Sequence, residues 1–123
     1  MLDMPAPPTV TRPPPAERRA FEGSTITIEC EAIGVPTPLI VWRLNWGHIG
    51  APPRVTSTSE RGHGVLTIRQ ARKEDQGAYT CEAINNKGSI FAQPDTIVYV
   101  EREYLIKYSL ILKSCVECDY SIQ

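Results

Sequence analysis

The stretch Leu66-Thr-Ile-Arg-Gln-Ala-Arg-Lys-Glu-Asp-Gln-Gly-Ala-Tyr-Thr-Cys-Glu-Ala83 decides how this chain folds. Its second half places Asp75, Gly77, Tyr79 and Cys81 at alternate positions. Because alternate side chains of an extended strand share a face, Tyr79 and Cys81 are predicted to point together into a core. Asp75 and Gly77 fall at the corner where that strand begins. The pattern therefore predicts a half-buried β-strand that carries an inward-facing cysteine.

A second strand of the same kind lies upstream, at residues 24–32. Its residues alternate strictly, with isoleucine, cysteine and alanine on one face and threonine and glutamate on the other, which is typical of a half-buried antiparallel strand. Trp42 follows 12 residues after Cys30, on the inward face of a third predicted strand. At this point Cys30 and Cys81 are either a disulfide pair or two buried free thiols.

The remaining pattern predicts shorter strands at residues 54–58 and 65–69, a hairpin turn at residues 85–88, and a closing strand over residues 89–100 that Pro94 interrupts. Pro94 indicates a bulge or an edge position there. Arg54 stands where resemblance to a two-sheet sandwich would place a partner for Asp75. If that pair is largely buried, removing one member destabilises the domain more than the pair stabilises it.

Length and charge limit the possible classes of protein. The chain has 123 residues, enough for one two-layer domain, and its 13 basic and 14 acidic side chains give a net charge of −1. Such a balance offers no general field for nucleic acid or for an anionic membrane. No apolar run is long enough to span a bilayer, and the N-terminus lacks the basic and apolar regions of a signal peptide. An extracellular version of this domain would thus be part of a longer protein.

Composition divides the chain into three segments. Residues 1–15 are proline-rich and are predicted to be an extended linker, residues 16–100 form the domain, and residues 101–123 form a non-homologous tail. The tail is either disordered or a product of translation past a natural exon boundary. It ends near Cys115 and Cys118, whose CxxC spacing can mark a zinc or redox site, but no second ligand pair completes one.

The signature residues together resemble an immunoglobulin domain of the I-set or C2 type, over about residues 8–100. They are Cys30, Trp42, Leu66, Ile68, Asp75, Gly77, Tyr79, Cys81 and the turn at residues 85–88. The resemblance implies an all-β fold: a two-sheet antiparallel immunoglobulin sandwich with a Cys-Trp-Cys core. It also implies a Cys30–Cys81 disulfide and a hydrogen bond from the Tyr79 hydroxyl to nearby backbone.

Three shorter stretches, residues 10–15, 30–38 and 41–49, are similar to the first immunoglobulin module of the basement-membrane heparan sulfate proteoglycans. This resemblance implies a secreted, non-catalytic matrix module that acts as a spacer and a protein-binding surface. Its expected partners are other matrix or cell-surface proteins. Two alternatives remain: a module of a cell-surface adhesion or receptor protein, and an intracellular muscle-type array. No nucleophile has a base near it in the strand order, so no catalytic residue, metal or cofactor is predicted.

Two candidate interaction surfaces follow from the loops and charges. Trp46, His48 and Ile49 lie in a turn-rich segment and would form a small exposed patch, unless Trp46 folds back over the sheet edge. Arg18 and Arg19 form a small basic group that would make a weak glycosaminoglycan contact, and the alternative is an ordinary solvated face.

Overall fold

The computed structural model describes residues 4–102. Within them the chain forms nine strands and one short 3-10 helix at Lys73–Asp75. The strands are β1 (Ala6–Arg12), β2 (Glu17–Phe21), β3 (Ile26–Val35), β4 (Leu39–Leu44), β5 (Val55–Glu60), β6 (His63–Ile68), β7 (Gly77–Asn85), β8 (Gly88–Phe91) and β9 (Thr96–Glu101).

The strands form two sheets that pack face to face. One sheet has the order β1-β3-β6-β5, and the other has the order β2-β9-β7-β4 with β8 also paired to β7. All pairs are antiparallel except β2 with β9, which run parallel. The predicted all-β, two-sheet immunoglobulin sandwich is therefore confirmed, with one parallel pair that the sequence pattern did not indicate.

A disulfide between Cys30 and Cys81 joins the two sheets, with 6.6 Å between the Cα atoms. Trp42 lies directly opposite Cys81 in the β4–β7 register and is only 4% exposed. The predicted Cys-Trp-Cys core is thus confirmed. The apolar face of β3 contributes to the same core, because Ile26 and Ile28 are fully buried.

The prediction of a linker over residues 1–15 is wrong for its central part. Strand β1 pairs with β3 through Ala6–Val35, Thr9–Ile33 and Val10–Ala32. Proline lacks an N–H and so argues against a paired strand, but β1 lies at a sheet edge, where such a residue is tolerated. The pairing is also irregular between Ala6 and Thr9, which is where Pro7 and Pro8 lie.

The segment at residues 89–100, predicted as one interrupted strand, forms two strands with Pro94 between them. Strand β8 pairs with the end of β7, and β9 pairs with its beginning. Strand β9 extends to Glu101, so the predicted tail begins one residue too early. The rest of that tail, including Cys115 and Cys118, lies outside the described residues.

The described chain enters and leaves at opposite ends of the sandwich. At the first end, Asn85 donates a side-chain hydrogen bond to Ala6 O at 2.8 Å. At the other end, Val100 N donates to the side-chain oxygen of Gln76 at 2.8 Å, just before β7 begins. Since β7 runs from the second end to the first, the two ends are separated by its full length.

The outer edge of β4 is closed at both of its ends. Ile40 N donates to Ser59 Oγ at 2.9 Å, across from the neighbouring sheet. Leu44 N donates to Gly47 O at 3.1 Å, and Gly47 N donates back to Leu44 O at 2.8 Å. The backbone groups of alternate residues in a strand point to the same edge. Between Ile40 and Leu44, only Trp42 therefore presents its backbone N–H and C=O to the outer edge of β4.

Candidate interaction surfaces

The turn after β4 presents Trp46 at the surface. Asn45 and Trp46 both have left-handed backbone conformations, with φ values of 49° and 66°, and together they form a two-residue turn. Asn45 tolerates this conformation, and its side-chain oxygen accepts a hydrogen bond from Ala78 N at 3.0 Å. Trp46 remains 62% exposed. The turn therefore holds an indole in solvent at a fixed position.

The exposed indole has one aromatic neighbour. Its ring meets the Phe91 ring edge to face, with 5.2 Å between the centroids. This contact anchors Trp46 against β8. Trp46 thus packs on the sheet through Phe91, as the alternative predicted, but most of its side chain stays exposed. We call these two residues the Trp46–Phe91 patch. Phe91 was missed by the sequence analysis because only the strand pairing brings it near Trp46.

His48 and Ile49 contribute differently from the sequence-based expectation. Ile49 is partly buried and packs against the hydrophobic core, whereas His48 is exposed. The expected patch of three neighbouring exposed side chains is therefore wrong for Ile49, because an apolar side chain beside the open end of the sandwich gains more by covering the core.

The outer face of the second sheet continues from the Trp46–Phe91 patch. Leu39 pairs with Ile84 and Val41 pairs with Glu82, so these four side chains share that face. Arg43 and Glu82 form an ion pair at 3.4 Å, and the Glu82 side chain is 11% exposed. This face thus combines exposed apolar side chains with one largely buried charge.

The basic pair Arg18 and Arg19 is divided by the strand. Arg19 donates to Glu17 at 2.7 Å and to Glu101 at 2.9 Å, and its guanidinium lies 4.3 Å from the Tyr99 ring centre. The hydrogen bond to Glu17, more than the other contacts, raises the pKa of Arg19. Two carboxylates therefore neutralise Arg19. Arg18 instead donates to the backbone oxygen of Thr27.

The corner before β7 is held by Asp75. Arg54 donates to both carboxylate oxygens, at 2.7 and 2.9 Å, and Arg72 N donates to one of them at 2.7 Å. Burial alone would raise the pKa of Asp75, but the hydrogen bonds from Arg54 and Arg72 outweigh it and lower that pKa. The Tyr79 hydroxyl donates to Asp75 O at 2.7 Å, and burial raises the pKa of Tyr79.

Residues 4–102 contain no group of three or more His, Cys, Asp or Glu side chains placed to hold a metal ion. No helix there has the length and apolar character needed to cross a membrane.

The fold and its corner geometry define a member of the immunoglobulin superfamily, and residues 7–85 match the family description "Immunoglobulin domain". The chain belongs to this family. Its sequence is 56% identical over 92 residues to the basement membrane-specific heparan sulfate proteoglycan core protein of Mus musculus (perlecan). It is 54% identical over 93 residues to the basement membrane proteoglycan of Caenorhabditis elegans. These matches cover 75% and 76% of this chain but only 2% and 3% of the relatives, so the chain spans a very small part of their length.

Two further similarities place the chain among known relatives and folds. It is 38% identical over 87 residues to human protein turtle homolog B, covering 71% of this chain and 6% of that protein. Among solved structures, an immunoglobulin domain in the titin M10 and obscurin-like 1 complex superposes with a TM-score of 0.71. That domain is 27% identical, and the match covers 79% of this chain and 96% of the titin-complex chain.

Proposed function

We propose that this domain is a non-catalytic immunoglobulin module of an extracellular matrix protein related to the basement-membrane proteoglycans, where it serves as a spacer and a protein-binding surface. The observation that carries the spacer role is the entry and exit of the chain at opposite ends. Strand β7 has nine residues, so at about 3.3 Å per residue the module separates its neighbours by about 30 Å. We propose that the module comprises residues 6–101.

Sequence identity supports the matrix over the adhesion or receptor alternative. The two basement-membrane relatives are 56% and 54% identical, whereas turtle homolog B and contactin-2 are each 38% identical. An oxidising extracellular setting also suits the Cys30–Cys81 bridge, since disulfides rarely persist in the cytosol. The same argument disfavours an intracellular array.

Force spectroscopy tests the spacer role. A molecule pulled from its two ends should bear load through the sandwich, and unfolding should stop at the cross-link because 51 residues stay closed behind it. Reduction should lengthen the unfolding step by about 180 Å, at about 3.6 Å per released residue. A module that extends gradually, with no discrete unfolding step in the oxidised form, would contradict a load-bearing spacer.

The protein-binding role is assigned to the Trp46–Phe91 patch and the adjoining sheet face. Exposed tryptophan is enriched among residues that dominate binding energy. The test variant is Trp46→Asn, because asparagine tolerates the left-handed backbone and keeps the turn while it removes the indole. The matched control is Arg61→Asn, at another turn residue with φ of 54°. Retention on immobilised basement-membrane proteins should fall for the first variant only. Equal retention of both variants would exclude the patch.

A further inference from the structure

Two arginines in the described part of the chain carry a charge that no carboxylate balances. Arg18 donates to Thr27 O, and Arg69 donates to Pro53 O at 3.3 Å and to Thr56 Oγ1 at 3.1 Å. Neither arginine forms an ion pair within residues 4–102. A neutral oxygen accepts a hydrogen bond from an N–H group but does not balance the positive charge. An anionic ligand would therefore stabilise each guanidinium further.

Both arginines border one surface groove at the start of β3. A cavity of about 430 Å³ is lined by Thr25, Arg69 and Gln70 among others. A second cavity of about 320 Å³ is lined by Arg18, Ser24 and Thr25 among others. Thr25 lines both cavities, so they adjoin at this residue, and we call the two together the groove.

The strand register sets the spacing of the two charges. Ile26 pairs with Ile68, which places Arg69 across from Thr25 on the neighbouring strand. Arg18 reaches the backbone at Thr27, two residues further along β3. The Arg69 guanidinium reaches away from β3, to Pro53 O and Thr56 Oγ1 on the β5 side, so the two cations flank a short segment rather than forming one cluster.

The other two arginines of the groove are neutralised. Arg54 lines the larger cavity but holds Asp75, and Arg19 lines the smaller cavity but holds Glu17 and Glu101. The groove therefore offers two separated cationic anchors. Its lining also includes the hydroxyl and amide groups of Ser24, Thr25 and Gln70 and the apolar side chains of Ala20, Phe21 and Pro53. It suits a ligand that carries fixed negative charges on a hydroxyl-rich backbone.

We propose that this groove binds a segment of sulfated polysaccharide, with Arg18 and Arg69 each holding one acidic group and Thr25 lying beneath the sugar between them. A guanidinium matches a sulfate geometrically because its planar N–H groups meet two oxygens at once. This site lies apart from the Trp46–Phe91 patch and does not depend on the spacer role.

The test is a titration of the full chain with a sulfated hexasaccharide, followed by calorimetry and by backbone NMR. Arg18→Gln and Arg69→Gln should each weaken affinity about tenfold, the loss expected for one charge-assisted contact. Arg12→Gln and Lys87→Gln are matched controls, since each also removes one positive charge but lies outside the groove, and both should stay within about twofold of the native chain. Arg18→Lys, which keeps the charge, should recover part of the loss and separates charge from packing.

In the native chain, amide shifts should concentrate at Thr25 and Gln70, and the desulfated hexasaccharide should cause none. Equal losses in the four glutamine variants would indicate diffuse charge and would overturn the proposal. So would equally tight binding of an acidic peptide of the same charge, or NMR shifts confined to residues outside the groove. None of these results would change the expected outcome of force spectroscopy. The polysaccharide site can therefore be disproved without disproving the spacer role, and the reverse also holds.

Discussion

Tyr79 and Asp75 are joined by a hydrogen bond from the phenol hydroxyl to the backbone oxygen four residues upstream, at 2.7 Å. The same Asp75 uses its carboxylate to hold Arg54, so one residue connects the start of β7 with the segment before β5. Tyr79 is 1% exposed and Asp75 is 4% exposed. The corner is therefore a buried polar junction whose members depend on one another.

Replacing Tyr79 with phenylalanine should destabilise the domain by about 1–2 kcal/mol, because a buried carbonyl loses its donor while the ring stays packed. The matched control is Tyr99→Phe, a ring on the neighbouring strand that contacts Arg19 through its face. Denaturant unfolding of both variants measures the difference. Equal stability of the two would show that the hydroxyl of Tyr79 contributes nothing specific.

Replacing Asp75 with asparagine should lower stability at neutral pH by about 2–3 kcal/mol, since Arg54 would keep its charge without a carboxylate partner. The pKa of folded Asp75 is lowered, so its contribution is complete above the unfolded value of about 3.9 and is lost as the pH falls through the folded pKa. Stability against pH should therefore drop less steeply in acid for the variant than for the native chain. Parallel curves for the two proteins would contradict this assignment.

Breaking the Cys30–Cys81 bridge should destabilise the domain by about 4 kcal/mol, the loop-closure value for a separation of 51 residues. Small domains have total stabilities of about 5–15 kcal/mol, so the reduced protein should be marginal. The measurement is unfolding of the Cys30→Ala/Cys81→Ala variant beside the oxidised chain. An unchanged midpoint would mean that packing around Trp42 alone holds the sheets together.

Gly64→Ala should destabilise the domain by about 1–3 kcal/mol. The added Cβ would overlap the Ile40 side chain and lie 2.5 Å from the Ile40 Cβ across the core. Gly47→Ala is the control, since its nearest contact would be Leu44 O at 3.5 Å. Thermal unfolding of both variants distinguishes them. Similar midpoints would mean that Ile40 moves aside without loss of packing.

The sequence alone predicted the features that repeat along one strand. Cys30, Trp42 and Tyr79 lie on inward faces because side-chain alternation is a local property, visible in a few residues. The family resemblance then supplied the pairing of Cys30 with Cys81. Strand β1 was missed because its prolines argue against a strand until an edge position is known.

The interaction surfaces were harder to predict because they depend on pairing between distant strands. Arg18 and Arg19 are neighbours in sequence, yet only Arg19 meets Glu101, 82 residues away. Trp46 likewise finds Phe91 through the β7–β8 hairpin. Charge and aromatic content identified these residues as candidates. Their contact partners could be identified only from the pairing register of the strands.

The closed edge of β4 has a consequence for crowded surroundings. With Ser59 occupying one end and Gly47 the other, an extended segment from a neighbouring copy finds a docking length too short to nucleate a continuous ladder. Unpaired strand edges can pair with one another between copies of a protein, and such pairing leads to aggregation. The short turn that presents Trp46 thus also limits strand pairing along the β4 edge.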